Sequence, residues 1–191
     1  MTDGQSRRIS EPQVMRALAH PARIEIMEHL NNTGAAITAT ECAELVGLSP
    51  SATSYHLREL AKYKLIEQAP SRGDGRERVW RSTSTGLRIE TEGADPAAIS
   101  AALALVDAFL ERDVRRAREW VERQPDEPEP WRDAGGMTSL EMMVTADELK
   151  ELTARINALV EPYRVRDRQD PPAEARRVHF NYFAFPTEAE G

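Results

Sequence analysis

Apolar residues recur at intervals of three and four over the first 63 residues, which is the spacing of amphipathic helices. Proline and glycine divide this stretch into four short helices. The first begins where Ser10 offers a capping hydroxyl ahead of Pro12. The second begins at Pro21, because proline disfavours helix at the preceding residue and suits a first turn. A polar run that closes with Gly34 ends the second helix.

Capping signals mark the third and fourth helices. Thr38 and Glu41 have the spacing of a capping box, in which a hydroxyl and a carboxylate each accept a hydrogen bond from a free backbone amide. This third helix ends at Gly47. Ser49 caps a fourth helix over residues 50–63, which opens with proline. Two helices joined by a tight glycine-containing turn predict a helix-turn-helix.

After residue 64 the pattern is that of strands and then of one long helix. Residues 65–69 and 78–83 predict a β-hairpin with a polar, glycine-rich tip. Residues 96–123 predict a helix about 40 Å long. Its apolar stripe exceeds what a small domain covers, which implies contact with the distal segment or with a second chain. The residues that we expect at a homodimer interface are Ile99, Leu103, Val106, Leu110 and Val114.

The last part of the chain predicts a small β-α-β element. Residues 124–136 are rich in proline and glycine and read as a linker. Apolar residues alternate over residues 138–145 and 177–185, as they do in strands. A second capping box, at Thr145 and Glu148, opens a helix between them.

The predicted fold class is therefore mainly α with small β (α+β). We expect a winged helix-turn-helix domain, then a long dimerisation helix, then a small α+β domain of unassigned role. The boundaries fall at residues 1–90, 91–124 and 125–191.

Composition places this fold in a broad class. Hydrophobic residues make up 40% of the 191 positions, which is enough for a core. No apolar run approaches the ~20 residues of a membrane span, and the polar N-terminus does not read as a secretory signal. The single cysteine, Cys42, excludes an intramolecular disulfide. We therefore expect a cytoplasmic protein.

The net charge of −7 argues at first against a nucleic-acid partner. Residues 1–90, however, contain 12 Lys and Arg against 11 Asp and Glu, whereas residues 91–191 contain 13 against 21. The acidity belongs to the second half, and a near-neutral first half can carry a basic face.

Three spaced motifs resemble the ArsR-like winged helix-turn-helix regulators of bacteria. They are ALAHPAR at residues 17–23, TATECAELVGLS at 38–49 and SYHLREL at 54–60. The resemblance covers residues 12–83. It implies a homodimer that binds operator DNA and represses transcription.

The same resemblance indicates two places where metal-sensing members of the family bind their ion. This chain lacks the ligands expected at each of them. Members with a cysteine site carry paired cysteines in the third helix, where only Cys42 is present. Members with a site on the long helix use histidine and carboxylates, whereas this helix has Asp107 and Glu111 but no histidine. Zinc requires three or four donors close together. We therefore expect no metal and no cofactor.

The fourth helix has one face suited to reading bases. Thr53, His56, Leu57 and Leu60 form its inward side, with His56 a hydrogen-bonded residue at the helix–helix seam. The outward face, at spacings of three and four, comprises Ser51, Ser54, Tyr55 and Arg58. Arginine can bind guanine bidentately in the major groove, and hydroxyls serve several bases.

Other residues are expected to position the duplex rather than read it. Thr38 and Thr40, near the amide-rich start of the third helix, and Lys62 are candidates for phosphate contacts. The hairpin tip, at residues 70–78, would form a basic wing. Its arginines are Arg72, Arg76 and Arg78.

Two alternatives to this hypothesis differ in class. An enzyme is not expected, because the sequence contains no nucleophile elbow, phosphate-binding glycine loop or metal-spaced histidine pair. The remaining alternative is a winged-helix protein-interaction module that does not bind DNA. Residues 125–191 either serve dimerisation alone or also hold an unidentified small-molecule effector.

Overall fold

The computed structural model describes residues 6–70 and 78–187, in two compact units. The first unit extends to Arg115 and the second begins at Arg116. No helix among the described residues is long and apolar enough to cross a membrane.

Four short helices form the first part of the chain, as the sequence predicts. They are α1 (Pro12–Leu18), α2 (Pro21–Thr33), α3 (Ala39–Val46) and α4 (Pro50–Lys62). Gly34 and Gly47 end α2 and α3 in the left-handed conformation, each with φ 65°. The predicted cap at Ser10 is wrong. Pro12 takes the first helical position, so the N-cap is Glu11, whose side chain makes no capping hydrogen bond.

Three strands of the first unit form an antiparallel sheet. The strands β2 (Ile37–Thr38), β3 (Ile66–Ala69) and β4 (Val79–Ser82) lie in the order β2-β4-β3. The predicted hairpin is the β3–β4 pair. The strand β2 has only two residues, too few to show a period in the sequence.

A second, parallel pair of strands was not predicted. It joins β1 (Arg7–Ile9) to β5 (Leu87–Ile89). The Arg7 guanidinium donates hydrogen bonds to the backbone carbonyls of Lys64 and, at 2.8 Å, Tyr63. These hydrogen bonds join β1 to the residues that follow α4.

One apolar core lies behind the helix-turn-helix. Cys42 and Trp80 are buried in it. The fully buried side chains include Met15, Leu18, Ile24, Ile26, Met27, Leu30, Leu57, Leu60 and Leu65. This core holds α4 in a fixed orientation.

The long helix α5 (Pro96–Arg123) has the predicted bounds and two distinct apolar faces. Asp95 caps it, since the amide of Ala98 donates to Asp95 Oδ1 at 2.7 Å. One face is buried in the first unit, through Ala98, Ala101, Ala102 and Leu105. Part of the apolar surface of α5 is therefore covered by the first unit itself.

A buried ion pair fastens α5 to α2. Arg112 lies 8% exposed, and its guanidinium reaches Glu28 at 3.2 Å and Asp113 at 2.8 Å. Such a pair needs both partners, because either charge alone would be buried without compensation.

The second unit corrects the β-α-β prediction. The helix α7 (Ala146–Val160) is present, with both bonds of the Thr145–Glu148 capping box. Residues 138–145 and 177–185, however, form no strand. The predicted linker also contains structure, a 3-10 turn at Gln124–Asp126 and the short helix α6 (Glu129–Ala134). The alternation along these two segments is therefore not matched by strand pairing among the described residues.

Candidate nucleic-acid interface

The two faces of α4 are separated as the sequence predicts. Ser49 caps the helix, accepting a hydrogen bond from the amide of Ala52 at 3.2 Å. The inward residues Thr53, His56, Leu57 and Leu60 are all buried. Burial of this face orients the opposite one to solvent, where it presents Ser51, Ser54, Tyr55 and Arg58.

The outward face is rich in hydrogen-bonding groups. Tyr55 is 54% exposed, and Ser51 and Arg58 are exposed as well. Ser54 is half-buried, and its carbonyl accepts from Arg58 Nε at 3.1 Å. This bond occupies one of the five N–H donors of the guanidinium. The remaining donors fit a bidentate contact with a base edge.

The two threonines before and within α3 differ in what they can contact. Thr38 is buried, and its hydroxyl accepts from the amide of Glu41 at 3.2 Å while the Glu41 carboxylate accepts from the Thr38 amide at 2.6 Å. The structure therefore gives Thr38 the task of capping α3 and does not present it to a ligand. Thr40 is exposed in the first turn of the same helix.

The predicted basic wing lies partly outside the described residues. Arg72 and Arg76 fall there, whereas Arg78 is exposed immediately before β4. Lys62, at the end of α4, is also exposed and lies 5.2 Å from the Tyr63 ring centroid. Arg81, on β4, pairs with Glu67 on β3 at 2.6 Å.

Sequence reasoning missed a stack of two histidine rings, His20 and His56, on the packed side of α4. The His20 and His56 rings lie 4.5 Å apart, and Tyr55 meets the His56 ring edge-on at 5.6 Å. Within the described part of the chain, His56 Nδ1 and Arg23 Nε are buried without a hydrogen-bond partner. The expected hydrogen bond of His56 is therefore not made at this nitrogen. The only signal for the stack was the His-Pro-Ala-Arg run at residues 20–23.

The environment of this stack disfavours protonation of both histidines. Burial lowers the pKa of His20 and of His56, and the nearby Arg23 lowers both further. His20 additionally lowers the pKa of His56. Both rings are therefore neutral at physiological pH, and His20 Nδ1 accepts from the amide of Ala22 at 3.2 Å.

Acidification is expected to destabilise the first unit. The unfolded histidines titrate near pH 6.5 and then bind protons that the folded stack resists, so the free energy of unfolding is at its full value above that pH and falls below it. Urea denaturation between pH 7.5 and 5.5 measures the effect. The double variant His20→Asn/His56→Gln should lose most of this pH dependence, and His179→Asn, in the second unit, should keep it. An unfolding free energy that rises on acidification would contradict the assignment.

Nothing in the described residues brings metal ligands together. No group of three or more His, Cys, Asp or Glu side chains in residues 6–70 and 78–187 could hold an ion. Burial, with a smaller contribution from Glu41, raises the pKa of the Cys42 thiol to about 12. A thiol held protonated in this way is a poor metal ligand.

Comparison with known families agrees with this geometry. Residues 18–69, from α1 to β3, match a family model described as a helix-turn-helix domain. With the small sheet beside these helices, the first unit has the winged helix-turn-helix fold of DNA-binding transcriptional regulators.

Several solved structures are similar to this chain. NolR from Sinorhizobium fredii is 24% identical, over 51% of this chain and 81% of its own, with a TM-score of 0.33. A protein described as "Possible transcriptional regulator for arsenical resistance" is 28% identical, over 56% of this chain and 96% of its own, with a TM-score of 0.32. The heme sensor PefR from Streptococcus agalactiae is 15% identical, over 83% of each chain, with a TM-score of 0.34. No curated protein matches the sequence.

Proposed function

We propose that the protein is a homodimeric repressor that reads operator DNA with α4 in the major groove. The observation that carries this proposal is the division of α4 into a buried apolar side and an exposed polar side. A recognition helix needs this division, because its packing face holds it rigid while its other face contacts base edges. Ser51, Ser54, Tyr55 and Arg58 are the proposed readers.

The proposed positioning contacts lie outside the reading face of this helix. Thr40, Lys62 and Arg78 are exposed and polar or basic. Arg72 and Arg76, outside the described residues, remain candidates from the sequence. Phosphate contacts of this kind fix register and orientation without carrying sequence information. Thr38 contributes through the capping box, which fixes the start of α3.

The proposed dimer forms through the exposed face of α5. The five predicted interface residues are between 38% and 59% exposed, although all are apolar. At about 100° per residue they lie on a stripe roughly 140° from the face that packs on the core. Five exposed apolar residues on one helix face are typical of a protein–protein interface. A second copy fits it, because a twofold dimer joins the same surface patch of both subunits.

Binding to duplex DNA is expected to depend steeply on salt. If a dimer makes about six phosphate contacts, its affinity should fall roughly a thousandfold between 50 and 200 mM salt. Fluorescence anisotropy on labelled genomic duplexes measures the slope, and a parallel series with chelator should give the same affinities, since no metal is expected. Absence of binding at 50 mM salt would favour the protein-interaction module instead.

A further inference from the structure

Two segments of the second unit have the composition of strands without the hydrogen bonds of strands. They are residues 138–145 and 177–185, named here the acidic segment and the aromatic segment. Across the described residues no backbone–backbone hydrogen bond joins either one to another part of the chain, apart from the Thr145 carbonyl that starts α7. Their exposed apolar side chains include Leu140, Met142, Val178, Phe180, Phe183 and Phe185.

The aromatic segment is held in place by its side chains. The Tyr182 hydroxyl donates to Asn157 Oδ1 on α7 at 3.0 Å, and Arg116 Nη1 on α5 lies 3.0 Å from His179 Nε2. The backbone edge and several rings remain uncovered, with Phe180 60% and Phe185 74% exposed. A fixed, uncovered, apolar edge of this kind is a template for pairing with another chain.

The missing partner is not elsewhere in the described part of the same chain. Both segments belong to one unit and flank one helix, so a parallel β-α-β pairing within the chain would be the ordinary arrangement. The chain does not adopt it, and each segment keeps its own alternating apolar face. A second copy supplies both missing edges at once.

Charge favours pairing between unlike segments. The acidic segment contains Glu141 and no basic residue. The aromatic segment contains Arg177 and His179 and no acidic residue. Pairing a segment with its own copy would place like charges together, whereas pairing unlike segments brings opposite charges together. Twofold symmetry then forms the contact twice.

We propose that the acidic segment of one copy pairs as a β-strand with the aromatic segment of a second copy, so that residues 125–191 interlock the homodimer. This inference rests on the proposed homodimer and assigns a role to its second unit.

Cysteines at the centres of the two segments test the pairing. Met142→Cys and Phe180→Cys are placed in separate chains with different tags and produced together. The native Cys42 stays in place, because it is fully buried and its thiol is held protonated. We expect mild oxidation to give a disulfide-linked species of twice 21.4 kDa as the main product. Leu48→Cys, in the first unit, paired with Phe180→Cys is the matched control and should give no more than a trace.

Two further measurements distinguish pairing between chains from pairing within one chain, and from a dimer that forms through α5 alone. The double variant Met142→Cys/Phe180→Cys in one chain should link between chains, and a disulfide closed within a single chain would overturn the proposal. In the unmodified protein, amide hydrogen exchange of both segments should slow at least tenfold on going from monomer to dimer concentrations. Fast exchange in a stable dimer would overturn this pairing and leave the α5 interface standing. A chain that stays monomeric at all concentrations would overturn both.

Discussion

Replacing Leu103 and Leu110 together by glutamate is expected to convert the dimer into a folded monomer. Both leucines lie on the exposed stripe of α5, so the charges do not enter the core of the single chain. In the dimer they would be buried against the same stripe of the partner, four carboxylates in one seam. The cost is about 4 kcal/mol or more, which corresponds to a dissociation constant at least roughly a thousandfold weaker.

Analytical ultracentrifugation at tens of micromolar measures this change, and circular dichroism checks that the helices remain. Ala104→Glu is the matched control. It adds one carboxylate at an exposed position on the same helix, about 100° away from Leu103. Its dimer should be unaffected. A double variant that remains dimeric, or an unmodified chain that is monomeric at these concentrations, would rule out the α5 interface.

Arg58→Ala is expected to reduce sequence discrimination more than affinity for DNA in general. Arg58 projects from the outward face of α4 with guanidinium donors left for a base. Its loss should cost about 1–3 kcal/mol on the preferred operator and much less on random duplex. The preferred operator is first recovered by selecting genomic fragments with the purified protein.

Arg78→Ala is the contrasting variant, because Arg78 lies at the base of the wing and carries a proposed phosphate contact. It should weaken the operator and random duplex alike and flatten the slope of log K against log salt by about one unit per site. Salt titrations of both variants on both duplexes separate the two roles. An unchanged specificity ratio for Arg58→Ala would show that the reading face is elsewhere.

The helices of this protein could be predicted because residues close in sequence to each helix end determine where the helix begins and stops. Capping boxes at Thr38 and Thr145, prolines in first turns and a left-handed Gly47 each act within a few residues. The inward and outward sides of α4 followed from the same kind of information, since helical spacing alone places Leu57 and Tyr55 on different faces.

Parts of the candidate site could not be predicted because they depend on contacts between distant residues. The pairing of Arg81 with Glu67 and the stacking of His20 on His56 each join different elements. Burial of Thr38 likewise depends on β2 pairing with β4, a strand of two residues that no periodicity reveals. The type of a residue and its spacing in the sequence do not determine which distant residue its side chain will contact.

The sequence by itself determined the four short helices, the hairpin, the long helix and the polar face of the recognition helix, because helix caps, turn residues and periodicity are local. It also determined that residues 138–145 and 177–185 have strand-like alternation. Only the tertiary structure decided that α5 divides its apolar residues between a buried face and an exposed one, and that the two alternating segments form no sheet within the chain. The physical reason is that burial and strand pairing require a partner surface, and a pattern along the chain does not specify where that surface comes from.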